Sequence, residues 1–131
     1  MKNSSFSEKM IDILNYGAIN LVMAIGYRVG LFDVMDAFDS PQTVDDISDK
    51  AALNPRYVQE WLGAMTTAEI VELSQAENGE NQYYLPKSRG DLITRRAGNS
   101  NLGVYTQEIP LLTTSAMEAV IDGFVTGEGV S

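Results

Sequence analysis

One stretch near the start of the chain limits its fold more than any other feature. From Ser7 to Met35 apolar residues recur at helical spacing: Met10, Leu14, Leu21, Ile25 and Val29 follow three-to-four-residue steps, while Ile13, Ala18, Val22 and Ala24 fill much of the remaining circumference. Between Tyr16 and Phe32 the strongly polar side chains are Asn20 and Arg28 alone. A helix apolar on more than one side must be covered on more than one side, and a chain of 131 residues can rarely do that with its own residues. The segment therefore predicts a partner surface. Gly26 and Gly30 would each weaken an exposed helix by about 1 kcal/mol relative to alanine, so they mark close packing or a helix end near Gly30.

From Ser40 to Pro86 the punctuation is that of a helix-turn-helix followed by a wing. Thr43 is a good N-cap, Asp45 and Asp46 put negative charge in the first turn, and Val44, Ile47 and Ala51 form an apolar stripe. Asn54-Pro55 restarts a helix with a cap and an N1 proline, and Val58, Trp61, Leu62 and Met65 share its inner face. Ile70, Val71 and Leu73 predict a short strand. Glu77-Asn78-Gly79-Glu80 carries the Asn-Gly turn signal, and Tyr83-Tyr84-Leu85 predicts the returning strand, stopped by Pro86. Lys87 to Asn101 reads as a polar connector with a short helix at Gly90 to Arg95. From Leu102 apolar residues return at helical spacing, through Ile109, Leu112, Ala116, Ala119, Val120 and Phe124, with Pro110 kinking or restarting that helix. Gly123, Gly127 and Gly129 then loosen the pattern. The division expected is a domain over residues 1–122 and a linker over 123–131.

The chain has no Cys and no His, which removes disulfides, thiolate nucleophiles, cysteine-ligated metals and the commonest general base. Its 9 basic and 18 acidic residues give a formal charge of −9, so phosphate backbones and anionic membranes are repelled on average. Within Ser40 to Pro86 two basic residues, Lys50 and Arg56, face eight acidic ones, a net −6, and the second helix offers Arg56 and Gln59 beside Glu60. Base reading needs the opposite balance. Nucleic acid is therefore not an expected partner.

Lys87, Arg89, Arg95 and Arg96 form a local basic cluster, read as a salt-bridge surface. Asp45, Asp46 and Asp49 are explained by capping without a cation, so no metal site is expected. Gly127-Glu128-Gly129 lacks the preceding strand and following helix of a phosphate loop and reads as linker. The longest uninterrupted apolar run, Leu21 to Ile25, is far shorter than the roughly 20 residues of a bilayer span, so no membrane contact is expected. The polar start around Ser7, Glu8 and Lys9 has no signal core, which makes the cytoplasm the expected location. Trp61 is read as a packing anchor. Tyr16, Asn20, Met23 and Tyr105 are polar-tipped or adaptable residues in otherwise apolar segments. They are either internally satisfied or substrate-lining.

The pieces Gly26-Tyr-Arg-Val-Gly-Leu-Phe-Asp-Val-Met35, Thr43-Val-Asp-Asp-Ile47, Arg56-Tyr-Val-Gln-Glu-Trp-Leu62, Tyr84-Leu-Pro86 and Phe124-Val-Thr-Gly-Glu-Gly-Val130, in that order, resemble the N-terminal winged-helix dimerisation domain of class I S-adenosylmethionine-dependent methyltransferases, especially bacterial small-molecule O-methyltransferases. The resemblance implies a mainly α fold: a winged helix-turn-helix with a small β-hairpin wing, plus long N- and C-terminal dimerisation helices. It also implies a homodimer gripped through those helices, a domain that closes over a small-molecule acceptor, and S-adenosylmethionine bound in a separate Rossmann-like domain absent from these residues. No catalytic or cofactor-binding residue is carried over, and the isolated chain is expected to be inactive. Two readings of other classes stand beside it: a winged-helix DNA-binding transcriptional regulator and a stand-alone protein-interaction module.

Overall fold

The computed structural model describes residues 5–129. The first helix, α1, runs over Phe6–Arg28, capped by the Ser5 hydroxyl, which accepts from the Glu8 N–H at 3.2 Å. It ends where Gly30 takes a left-handed φ of 84°, a backbone state that glycine reaches without a Cβ penalty, and α2 (Leu31–Asp36) begins at once. Gly26 does the other thing expected of these glycines. A Cβ there would run into the Trp61 indole, whose Nε1 donates to the Val22 carbonyl at 2.9 Å. Trp61 also meets Phe32 edge to face at 5.1 Å, so the one tryptophan is a packing anchor between three helices.

The helix-turn-helix forms as the caps dictate. Thr43 Oγ1 accepts from the Asp46 N–H and opens α3 (Val44–Ala51); Asn54 Oδ1 accepts from the Arg56 N–H, and Pro55 opens α4 (Pro55–Thr67). Val58, Trp61, Leu62 and Met65 are all buried. With Leu31, Phe32, Met35, Ile47, Val71 and Leu85 they make most of one continuous core, closed by Tyr27 and Tyr83.

The wing differs in detail from expectation. Its strands are β1 (Glu72–Gln75) and β2 (Asn81–Tyr84), antiparallel with Leu73 opposite Tyr83, and Ile70 and Val71 are not in it. Both of their N–H groups bond the Met65 carbonyl, because Glu69 adopts a left-handed φ of 63° and turns the chain back over the end of α4. Val71 is thereby delivered to the core, and all of β1 stays exposed. At the tip Gly79 is left-handed and donates to the Ala76 carbonyl, while Ala76 donates to Glu80, which is a three-residue loop with a glycine bulge. Gln42 pairs with Tyr83 across the other edge of β2.

Beyond Pro86 come α5 (Lys87–Ile93), two 3-10 turns over Arg95–Ser100 and Gly103–Gln107, then α6 (Glu108–Ser115) and α7 (Met117–Thr126). Pro110 sits in the first turn of α6, so it starts a helix there. The C-terminal helical pattern is split at Ala116, whose φ of −134° is not helical. Within the stretch 123–131 expected as a linker, α7 continues through Gly123 and stops at a left-handed Gly127. Residues 1–4 and 130–131, which include Val130 of the final family-like piece, lie outside the described residues.

The reading of membrane potential from consecutive apolar residues also needs amending. Over an 18-residue window α1 reaches a mean hydropathy of 1.3 and is long and apolar enough to cross a bilayer by length and composition, because isolated polar residues break the apolar run without removing the window's apolar mean. Its C-terminal half is packed onto α4 and α2 through Ala24, Gly26 and Tyr27.

Candidate functional site

Tyr16, Asn20 and Met23 lie four and three residues apart, so helical geometry puts them on one face of α1. The 3-10 turn at Gly103–Gln107 crosses that face. Asn20 Nδ2 donates to the Thr106 carbonyl at 3.2 Å, and Gln107 Nε2 donates to the Ala24 carbonyl at 2.8 Å. Tyr105 therefore sits beside the residue that Asn20 holds. Tyr16 and Tyr105 are 72% and 59% exposed, whereas Met23 is half-buried against the core. The four residues share one side of the domain, but Asn20 and Met23 are engaged in packing and the two phenols point the chemistry outward.

Sequence reasoning missed the residues that hold this side together. Asn101 donates to the Tyr27 hydroxyl at 2.9 Å and accepts from the Gly103 N–H at 2.8 Å, and both side chains are buried. A Cβ on Gly103 would approach the Ile93 carbonyl at 2.6 Å, so only glycine lets the turn lie this close. Arg95 stacks over the Tyr27 ring at 4.2 Å and donates to its carbonyl at 3.1 Å. No periodicity signals such contacts. The nearest hint is a short polar stretch between two apolar ones.

The basic cluster is spent internally. Lys87 donates to the Asp36 carbonyl and pairs with Asp39 at 3.6 Å; Arg89 donates to the Ile70 carbonyl at 3.1 Å; Arg95 pairs with Asp33; and Arg96 pairs with Asp36 and, at 2.8 Å, with Asp91. These contacts fasten α5 and the first 3-10 turn to α2. Arg96's hydrogen bond holds the buried Asp36 carboxyl below the usual carboxylate range, against a desolvation that pushes it up, and Asp36 in turn raises the Arg96 guanidinium. Asp45 and Asp46 occupy the first turn of α3, where the dipole favours them.

Surface grooves open among the described residues, three of them sizeable. One of about 510 Å³ runs between α1 and α4 over Ala18, Gly63, Ala64 and Ala68. A second, of about 730 Å³, lies beneath the wing beside Arg89, and a third, of about 460 Å³, lies where α3, α4 and the wing tip meet. None of the three is lined by Tyr16, Asn20, Met23 or Tyr105. Among the described residues no group of three or more acidic side chains is placed to hold a metal.

Two capped helices, a hairpin returning over them and a core drawn from all of these define a winged helix-turn-helix domain. The chain belongs to the Rv2258c-like winged HTH domain family, whose model matches residues 17–95, more than half of its length. In fold it is similar to human N-acetylserotonin methyltransferase in complex with SAM, with a TM-score of 0.69 at 11% identity, over 99% of this chain and 37% of that one. It is also similar to PigF with SAH, with a TM-score of 0.63 at 16% identity, over 98% of this chain and 38% of that one. The chain thus spans less than two fifths of either structure. No curated protein matches it.

Proposed function

We propose that the chain is the N-terminal dimerisation and substrate-covering domain of a SAM-dependent methyltransferase, with the cofactor held by a part of the protein outside these 131 residues. One observation carries this reading. The helices α6 and α7 contain no buried residue, although Ile109, Leu111, Leu112, Val120, Phe124 and Val125 all lie in them, Phe124 at 89% exposure. Surfaces of that kind are interaction sites. The likeness in fold to a methyltransferase solved with SAM and to PigF solved with SAH supplies the setting, and the shares of 37% and 38% leave room there for a separate cofactor domain.

In this reading the twin subunit is gripped through the N- and C-terminal helices. Tyr16 and Tyr105 present their phenols to a small-molecule acceptor, while Asn20 and Met23 fix the wall behind them. The lobe contributes orientation and exclusion of water, both of which accelerate transfer between two bound reactants. The winged helix serves association. Its net charge of −6 and the internal pairing of its neighbouring basic residues disfavour a phosphate partner.

Sedimentation equilibrium over a micromolar concentration series, together with calorimetric titration of SAM, tests the proposal. A concentration-dependent dimer with no heat of SAM binding is the expected result. A chain that stays monomeric at hundreds of micromolar overturns the dimer, and SAM binding by this chain overturns the placement of the cofactor elsewhere.

A further inference from the structure

We propose that Asn78, at the tip of the wing, is a modification site: its side-chain amide is lost to attack by the Gly79 nitrogen, leaving aspartate or isoaspartate at that position. Of the eight asparagines in the chain, Asn78 alone precedes a glycine. That matters because glycine has no Cβ to crowd its own nitrogen. The tip is also open. Residues 77–80 are exposed, and apart from its chain neighbours no heavy atom comes within 4 Å of where a Gly79 Cβ would lie.

The turn sets up the reaction. Asn78 Oδ1 accepts from the Glu80 N–H at 2.9 Å, and the ring that this bond closes contains the Gly79 nitrogen. The side-chain carbonyl is thereby held alongside the peptide it must react with, and the donated hydrogen bond polarises it toward attack. The Gly79 N–H donates to the Ala76 carbonyl at 2.9 Å, a single bond at the exposed end of the hairpin that opens without disturbing the core. Hydroxide takes the proton from the Gly79 nitrogen, the nitrogen bonds to Asn78 Cγ, and the Cγ–Nδ2 bond breaks as ammonia leaves with a proton from water. A cyclic succinimide results. Water then opens the ring at either carbonyl: breaking the new nitrogen–Cγ bond gives aspartate, and breaking the original peptide bond gives isoaspartate, whose main chain runs through Cβ. In sum one water is consumed and one ammonia released.

The other described asparagines are held out of this chemistry. Asn15 and Asn20 lie within α1, where the following N–H is bound in the helix, and Asn54 precedes Pro55, which has no N–H. Asn81 is in β2. Asn101 is buried with its side chain bonded to Tyr27 and Gly103, and the Leu102 N–H donates to the Leu92 carbonyl at 2.6 Å. Asn99 is exposed in the first 3-10 turn, but the Cβ of Ser100 shields the nitrogen that would attack. Asn3 lies outside the described residues. The product adds one negative charge beside Glu77 and Glu80 to a chain whose formal charge is already −9. Isoaspartate also lengthens the backbone at the tip, so the Ala76 pairings with Gly79 and Glu80 are lost, while buried Val71, Tyr83 and Leu85 keep the base of the wing in place.

The test is to hold the folded chain in mildly alkaline buffer at physiological temperature, with a free peptide of the sequence Gln75 to Asn81 alongside as a clock. Anion exchange should resolve an acidic species that accumulates as a single exponential, at a rate within roughly an order of magnitude of the peptide's. Peptide mapping by mass spectrometry should place a gain of about 1 Da at position 78, and at no other asparagine on that timescale. Asn78→Ser should abolish the acidic species, and Gly79→Ala should slow its formation severalfold. In the purified isoaspartate form hydrogen exchange should quicken at Ala76 and Glu80, with the urea midpoint unchanged.

A chain still intact at position 78 when the peptide has fully reacted overturns the proposal, because the turn then shields the amide it was argued to expose. Conversion at Asn99 or any other asparagine ahead of Asn78 overturns it as well. A lowered urea midpoint in the isoaspartate form would show that the change is not confined to the tip. None of these outcomes depends on whether the chain dimerises or belongs to a methyltransferase.

Discussion

The winged centre and the terminal helices are built from the same kinds of side chain and treat them in opposite ways. Between Tyr27 and Leu85, twelve residues close into a single core in which Ile47, Leu62, Met65 and Leu85 are inaccessible. In α1 burial is confined to Ala24, Gly26 and Tyr27 near its end, and in α6 and α7 nothing is buried. The difference is one of enclosure. Leu62 has α1, α2 and α3 around its helix, whereas Leu14 has solvent where Leu62 has neighbours. Apolar character brings a residue to an interface, and only the surrounding elements decide whether that interface is inside one copy.

The contrast is broken most directly by truncating one residue on each side. Leu62→Ala should destabilise the chain by about 2–5 kcal/mol, through lost transfer energy and a cavity, whereas Leu14→Ala should change the monomer by less than about 0.5 kcal/mol and act on self-association instead. Urea titrations at low protein concentration, paired with sedimentation at high concentration, separate the two effects. Equal losses of stability would mean that α1 is as enclosed as the core.

The ion pairs that tie α2 to the connector sharpen the comparison next. Asp36 has a carboxyl value lowered by Arg96's hydrogen bond, so its contribution is fully present above the ordinary carboxylate range and is lost as pH falls through the lowered folded value. Asp36→Asn should cost about 1.5–3 kcal/mol at pH 7, and urea curves of variant and wild type should converge as pH falls through the lowered folded value. A pH-independent difference would show that the cost is steric.

The seam between α1 and the winged centre is probed by Gly26→Ala. The added methyl meets the Trp61 ring, and overpacking of this kind costs about 1–3 kcal/mol. Because Trp61 is the chain's one tryptophan, its fluorescence should shift in the native baseline. The smallest effect has the opposite sign. Ala52 ends α3 with a left-handed φ of 57°, so Ala52→Gly should raise stability by about 1 kcal/mol, seen as a higher urea midpoint with an unchanged slope.

Much of the centre was legible because its signals are local. Thr43 and Asn54-Pro55 cap the helices they announce, the stripe Val58, Trp61, Leu62 and Met65 is buried as spaced, and Asn78-Gly79 turns the hairpin. The start of β1 was not legible. Ile70 and Val71 have strand-like side chains, yet the left-handed turn at Glu69 uses their N–H groups to close α4. Gly123 looked like an ending and is a helical residue, since one glycine weakens a helix without terminating it. Of the candidate site, the positions of Tyr16, Asn20 and Met23 on one face followed from spacing. The contacts of Asn101 with Tyr27 and of Gln107 with Ala24 did not, because more than seventy residues separate each pair.

Sequence alone determined the helices, their caps, the wing and the surplus of apolar perimeter at both ends, all of which depend on residues within a few positions of one another. Tertiary structure decided which apolar faces are covered, that Lys87, Arg89, Arg95 and Arg96 are consumed by internal partners, and that one face of α1 is left whole. The physical reason is that burial and charge pairing depend on what stands across a gap in space. Asp36 and Arg96 are sixty residues apart along the chain, and nothing near either one names the other.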